Sequence, residues 1–135
     1  MKTMILTAEV DRMEELLDFI NAELEEHDVP MKSIMQIDIA VEELFVNIAH
    51  YAYNPEVGEA SVTVDVEESP LSIVIRLVDR GKPYDPLTRK DPDVTLGVED
   101  REIGGLGIYM VKKSMDEVSY AYENGQNILT IRKFL

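Results

Sequence analysis

The chain reads as an α+β domain with a mostly antiparallel sheet and helices packed on one face. Three observations predict this. Residues 11–53 place apolar side chains at helical spacing, broken once at Asp28-Val29-Pro30. Residues 60–78 and 117–135 each contain two alternating apolar/polar segments around a short turn. A long aperiodic segment, 80–104, separates the two pairs and leads into a short helical pattern.

Lys2 to Thr7 forms a short strand. Met13, Leu16, Leu17, Ile20 and Leu24 define one face of a helix over Asp11 to Glu26. Pro30 suits the first turn of a second helix, which runs to about Tyr53 and ends at Asn54-Pro55-Glu56-Val57-Gly58. Val62, Val64 and Val66 mark a strand over Ala60 to Glu67. A turn at Ser69-Pro70 joins it to a strand over Leu71 to Val78. After the aperiodic segment, Gly105 to Met115 is a short helix. Glu117 to Tyr122 and Asn127 to Leu135 close the chain as a hairpin across Glu123-Asn124-Gly125-Gln126. The predicted order is β-α-α-β-β-loop-α-β-β, within a single domain, 1–135.

Composition narrows the function classes. The absence of cysteine excludes disulfides and thiolate metal sites. A formal charge of −14 repels the phosphate backbone, so direct nucleic-acid binding is not expected. The same field repels a nucleotide at long range, so a nucleotide site would need local donors and a cation. No apolar run approaches membrane-spanning length, and Glu9 and Asp11 interrupt the apolar N-terminus. The expectation is a cytoplasmic protein with no membrane association.

The second helix carries an unusual polar stripe. At 100° per residue, Ile34, Ile37, Val41, Leu44, Phe45 and Ile48 form a broad apolar face, with Asp38 and Glu42 on a solvent stripe. Gln36, Glu43, Asn47 and His50 form a separate polar stripe, flanked by Ala40 and Leu44 on one side and Ile39 and Val46 on the other. Such a stripe is half-buried or is a solvated helix edge. If half-buried, each unpartnered group costs about 1–3 kcal/mol, so a ligand or an internal network must satisfy it. Glu43 and Asn47, four residues apart, reach one small object together.

The strand over Leu71 to Val78 makes a second exception. Leu71, Ile73, Ile75 and Leu77 share a face, and Asp79 is next in that series, pointing inward at the edge of the core. A carboxylate there needs a donor, such as an exocyclic amine of the adenine type, unless Asp79 merely caps a turn. Gly81 permits close approach of a flat ligand. Gly104-Gly105-Leu106-Gly107 precedes a helix, where free N–H groups suit phosphate oxygens, although such a cluster also serves as an ordinary junction. No P-loop is present, and a Rossmann reading lacks its preceding strand. The tyrosines Tyr51, Tyr53 and Tyr84 read as packing residues, the seven methionines as core filler, and His27 and His50 not as a metal pair.

Ala40-Val41-Glu42-Glu43-Leu44-Phe45-Val46-Asn47-Ile48-Ala49-His50, Asp79-Arg80-Gly81-Lys82-Pro83-Tyr84-Asp85-Pro86-Leu87 and Gly104-Gly105-Leu106-Gly107-Ile108 occur in this order with these elements between them. In this the chain resembles the Bergerat-type (GHKL) ATP-binding fold, and within it the bacterial anti-sigma-factor serine/threonine kinases of the RsbW/SpoIIAB type. The resemblance implies a two-layer α/β sandwich that binds ATP and Mg²⁺. It implies that Asn47 ligates Mg²⁺, that Glu43 is the catalytic base toward a serine or threonine hydroxyl, and that Asp79 binds the adenine amine. Gly81 and Pro83 would shape the pocket. Gly104, Gly105 and Gly107 would line the phosphates under a lid over about 86–104. The implied partners are a STAS-domain anti-sigma-factor antagonist, which the kinase phosphorylates, and a sigma factor, which it blocks. A homodimer is compatible with the family.

Two positions depart from the family pattern. Ile103 stands where a basic lid residue is common, which leaves Arg101 as the nearest arginine, with Arg80, Arg89 and Lys90 as further candidates for the γ-phosphate. Asn127 stands where a threonine is common, and its parity with Leu129 and Ile131 turns it inward to support Asp79, ahead of Thr130, which has the opposite parity. The competing reading is a nucleotide-gated protein-binding module without phosphotransfer. A histidine-kinase catalytic fragment is not expected, because no phosphoacceptor helical hairpin precedes the domain.

Overall fold

A computed structural model describes residues 1–53, 56–68, 71–88 and 106–135. Strand β1 (Lys2–Thr7) leads through a 3₁₀ turn at Val10–Arg12 into α1 (Met13–Glu26), and α2 (Met31–Tyr51) follows. Strands β2 (Glu59–Glu68) and β3 (Leu71–Asp79) come next, then a 3₁₀ turn at Pro86–Thr88, α3 (Leu106–Ser114), β4 (Glu117–Glu123) and β5 (Gln126–Phe134). The element order agrees with the sequence reading. The first helix starts two residues later than expected, because Val10–Arg12 takes the tighter 3₁₀ form.

The five strands lie in the order β1-β2-β3-β5-β4, and every described pairing is antiparallel. The fold is therefore α+β, and among the described residues its single sheet contains no parallel pair. From β3 the chain crosses through α3 to the edge strand β4, and the β4–β5 hairpin brings β5 back beside β3. Asn124 and Gly125 turn that hairpin with positive φ (52° and 75°), a conformation suited to asparagine and glycine.

Register builds the core in rows. Val62, Leu77 and Leu129 stand side by side, as do Val64, Ile75 and Ile131. Against this face pack Leu16, Ile20 and Leu24 of α1, Ile37, Val41, Leu44, Phe45 and Ile48 of α2, and Ile108 and Val111 of α3, all in one apolar cluster. At about 1.5–3 kcal/mol per buried large side chain, this cluster supplies the main drive for folding. The next row along the sheet is Ala60, Asp79 and Asn127. The sheet thus changes from apolar to polar in one step, at the end where the site forms.

Three expectations are corrected. Asp38 is half-buried rather than on a solvent stripe: Asn21 Nδ2, held at 2.7 Å by the Leu17 carbonyl, donates to Asp38 Oδ1 at 2.9 Å and ties α1 to α2. Burial there raises the Asp38 carboxyl above its ordinary range, against the lowering effect of Asn21. Leu71, expected inward, is exposed at the end of its strand. The methionines are not uniformly core filler: Met115 is buried, but Met1, Met31, Met35 and Met110 are exposed. Among the described residues, no helix is long and apolar enough to cross a membrane.

Candidate functional site

Two polar clusters meet at the polar end of the sheet, beneath α2. The first is centred on Asp79. It is buried, and Oδ1 accepts from Gly81 N (2.9 Å) and Asn127 Nδ2 (2.9 Å). Burial raises the carboxyl above its ordinary range, and these two donors oppose the rise without cancelling it. Asn127 is buried too, and its amide is fully engaged. Nδ2 also donates to the carbonyls of Lys82 (2.8 Å) and Gly81 (3.4 Å), while Oδ1 accepts from Tyr84 N (3.1 Å) and the Tyr120 hydroxyl. Asn127 therefore clamps the 81–84 turn onto Asp79. Parity alone turned Asn127 inward; the register Asp79↔Asn127 makes the two neighbours.

The end of α2 fixes the same turn from the other side. Lys82 N donates to the Ala52 carbonyl at 2.9 Å, satisfying one of the acceptors that a helix C-terminus leaves open. A Cβ on Gly81 would lie 2.2 Å from that carbonyl oxygen. Gly81 is thus required by the backbone at the end of α2, whatever else approaches it. The Tyr53 hydroxyl donates to Glu59 O (2.6 Å) and accepts from Arg80 N (2.8 Å). Tyr53 is a strut as well as a packing residue.

The second cluster lies on α2. Asn47 is buried and Glu43 half-buried, which decides the polar stripe in favour of partial burial; His50 at its end is exposed. Asn47 Nδ2 donates to the Glu43 carbonyl (2.8 Å) and to Glu43 Oε1 (3.2 Å). Among the described residues, Oδ1 of Asn47 accepts no hydrogen bond. The Glu43 carboxylate rests against Gly107 in the first turn of α3.

Between the clusters is a cavity of about 20 Å³, lined by Asn47, Ile48, Ala52, Asp79, Lys82, Tyr84, Pro86, Asn127 and Leu129. It unites Asn47, Asp79 and Asn127. Pro83, expected in the wall, is exposed and does not line it; Lys82, Tyr84 and Pro86 do. Of these, Lys82 is a lining residue that sequence reasoning passed over, with its carbonyl bonded to Asn127 Nδ2. Arg80, a candidate for the phosphates, is exposed and borders a groove of about 510 Å³ with Ile5, Ser61 and Val78 on the opposite, open face of the sheet. Gly104, Gly105, Arg101, Arg89, Lys90 and the lid beyond Thr88 lie outside the described residues.

The donor chemistry fits a magnesium nucleotide. Asp79 offers a buried acceptor for an amine, and Asn47 Oδ1 a hard oxygen for a cation. The Tyr84 hydroxyl is buried with no partner among the described residues, a cost a ligand group would relieve. No cluster of three His, Cys, Asp or Glu able to hold a metal occurs among the described residues. A Mg²⁺ at Asn47 would accordingly depend on phosphate and water for its other ligands, as that ion commonly does. A cavity of about 20 Å³ holds a water rather than a purine.

The fold is thus a helical layer on one antiparallel sheet, with the Glu43/Asn47 helix over the Asp79 turn. Residues 6–133 match the histidine kinase-like ATPase domain, and the chain belongs to that family. Among curated proteins, it is 31% identical over 100 residues to the serine-protein kinase RsbW of Bacillus thuringiensis (strain Al Hakam), covering 71% of this chain and 61% of that protein. It is 30% identical over 95 residues to RsbW of Bacillus mycoides (strain KBAB4), covering 67% and 58%. The chain thus spans about three-fifths of the length of these relatives. Among solved structures, a chain of the SiaB–SiaC complex from Pseudomonas aeruginosa superposes with a TM-score of 0.60 at 14% identity, covering 98% of this chain and 89% of that one. The histidine kinase domain of the Erythrobacter litoralis EL346 blue-light activated kinase gives 0.55 at 15% identity, covering 91% and 61%. At these identities the two structures support the fold alone.

Proposed function

We propose that this chain binds MgATP and transfers a phosphoryl group to a serine or threonine of a partner protein; its RsbW relatives are named serine-protein kinases. The observation that carries the reading is the Glu43–Asn47 hydrogen bond on α2, which couples a carboxylate to an amide whose oxygen is left for a cation. Asp79 would receive the adenine amine, with Asn127 and Gly81 N–H holding its carboxylate in place. Asn127, with its amide spent inside the protein, acts on the nucleotide through Asp79. Mg²⁺ at Asn47, when bound, would offset the charge of the phosphates.

Glu43 would accept the hydroxyl proton of the incoming serine or threonine as that oxygen bonds to the γ-phosphorus and the bond to the β-phosphate bridging oxygen breaks, leaving ADP. Such base assistance is worth roughly 10²–10⁴-fold, with positioning and charge neutralisation supplying the rest. The partner-switch setting, in which a STAS-domain antagonist is phosphorylated and a sigma factor is bound, follows from the resemblance to anti-sigma kinases. Homodimerisation and a cytoplasmic location belong to the same reading.

The test is affinity purification of the tagged protein from its native cells in MgATP, with mass spectrometry of partners and their phosphosites. A STAS-domain protein phosphorylated on serine or threonine supports the kinase. With that partner, Glu43→Ala is expected to abolish transfer and to keep MgATP binding by calorimetry; full transfer by the variant would overturn the role of Glu43. A bound partner that responds to nucleotide but never acquires phosphate would replace the kinase by a nucleotide-gated binding module.

A further inference from the structure

Gly107 is the second residue of α3, in a helix where glycine is a poor choice on propensity. Its backbone does not require glycine: among the described residues, Gly125 is the glycine with positive φ. Space does require it. A Cβ at position 107 would lie 2.1 Å from Cδ of Glu43 and 2.3 Å from each carboxylate oxygen. Ordinary contact begins at 3.4 Å, so a single methyl group forces these atoms away by about 1 Å. They are the end of a flexible side chain, so the carboxylate yields and the helices stay. The same carboxylate is held from its own helix by Asn47 Nδ2 at 3.2 Å. Glu43 is thus pinned between Asn47 and the bare backbone of α3.

We propose that Gly107 is a positioning residue for Glu43: its missing side chain is the seat of the carboxylate. This rests on the reading of Glu43 as the base, and it departs from the phosphate-lining role that the family resemblance implies for Gly107. It also explains how α2 and α3 cooperate. The acid side chain comes from α2, while α3 decides how far it can extend. A misplacement of about 1 Å at a reacting group costs on the order of 10²-fold in rate.

Three variants of the full chain test this: Gly107→Ala, Glu43→Asp and the pair together. Carboxyl ¹³C NMR of Glu43 reads the placement, calorimetry reads MgATP affinity, and transfer to the partner at saturating ATP reads kcat. Gly107→Ala is expected to shift the Glu43 carboxyl resonance, to keep MgATP affinity within about 3-fold and to lower kcat by about 10²-fold. Glu43→Asp withdraws the carboxylate by one methylene and makes room for the methyl. The double variant is therefore expected to be more active than the product of the two single losses. An unmoved Glu43 resonance in Gly107→Ala would overturn the proposal. So would strictly multiplicative losses accompanied by a tenfold or greater loss of MgATP affinity, which would assign Gly107 to the phosphates. If the unmodified chain transfers nothing, the base assignment fails, and the resonance alone still decides whether Gly107 seats Glu43.

Discussion

Replacing Asn127 by alanine removes the clamp at the polar end of the sheet. Asp79 would keep one of its two donors, Gly81 N–H, while remaining buried. The Gly81 and Lys82 carbonyls lose a donor, and Tyr84 N and the Tyr120 hydroxyl lose an acceptor. A lost hydrogen bond to a charged group costs about 1.5–3 kcal/mol, and each buried unpaired group about 1–3 kcal/mol. These groups share one turn and relax together, so the losses do not add. The expected total is about 3–5 kcal/mol, a large part of the roughly 5–15 kcal/mol that holds a domain folded.

The penalty has a pH signature. The Asp79 carboxyl is raised in the folded protein, so between its ordinary value near 3.9 and its folded value the native state binds more protons than the unfolded state. Stability contributed by Asp79 is therefore fully present below that ordinary value and falls as pH rises through the folded one. Asn127 opposes the rise, so Asn127→Ala widens this window upward. Urea unfolding of both proteins from pH 4 to pH 8 is the assay. The difference in stability should be smaller at pH 4 than at pH 7. A difference that is constant across pH, or below about 1 kcal/mol throughout, would refute the reasoning.

Gly81→Ala places a methyl against the Ala52 carbonyl backbone, which cannot swing aside, and should cost about 1–3 kcal/mol by urea unfolding; wild-type stability would show that the turn gives way freely. Tyr84→Phe deletes a buried hydroxyl without a partner among the described residues and should raise stability by about 1 kcal/mol, seen by calorimetry as a higher Tm; a lower Tm would show that the hydroxyl is bonded. Glu23 is buried and bonded to Lys2 at 2.9 Å, and chiefly for that reason its carboxyl lies below the ordinary range. That contribution is present above the unfolded carboxylate value and is lost as pH falls through the folded one. Lys2→Ala should therefore lower Tm at pH 7 more than at pH 3, and equal losses at both would exclude the linkage.

Much of this site was legible before any coordinates. Parity along β3 turned Asp79 inward, parity along β5 turned Asn127 the same way, and helical spacing put Glu43 and Asn47 together. Each inference concerns one element and its own repeat, and the local pitch of a helix or strand is set by the backbone. What the sequence did not show lies where two elements meet. Gly81 reads from the sequence as room for a flat ligand, and the carbonyl of Ala52 also occupies the space its side chain would need. Pro83 was placed in the pocket wall, but its neighbours Lys82 and Tyr84 line it. Asp38 was assigned to solvent because the position of α1, with Asn21 reaching across, is not written in the periodicity of α2.

By itself the sequence determined the α+β order, the inward parity along the strands that carry Asp79 and Asn127, and the polar stripe of α2. The tertiary structure decided that Asp79 and Asn127 are cross-strand partners, that Ala52 holds the turn after Asp79, and that Gly107 of α3 lies under the carboxylate of Glu43. The physical reason is range. Which way a side chain points depends on backbone geometry within a few residues, whereas which groups meet depends on strand register and on helix spacing, and the packing of the whole core sets both at once.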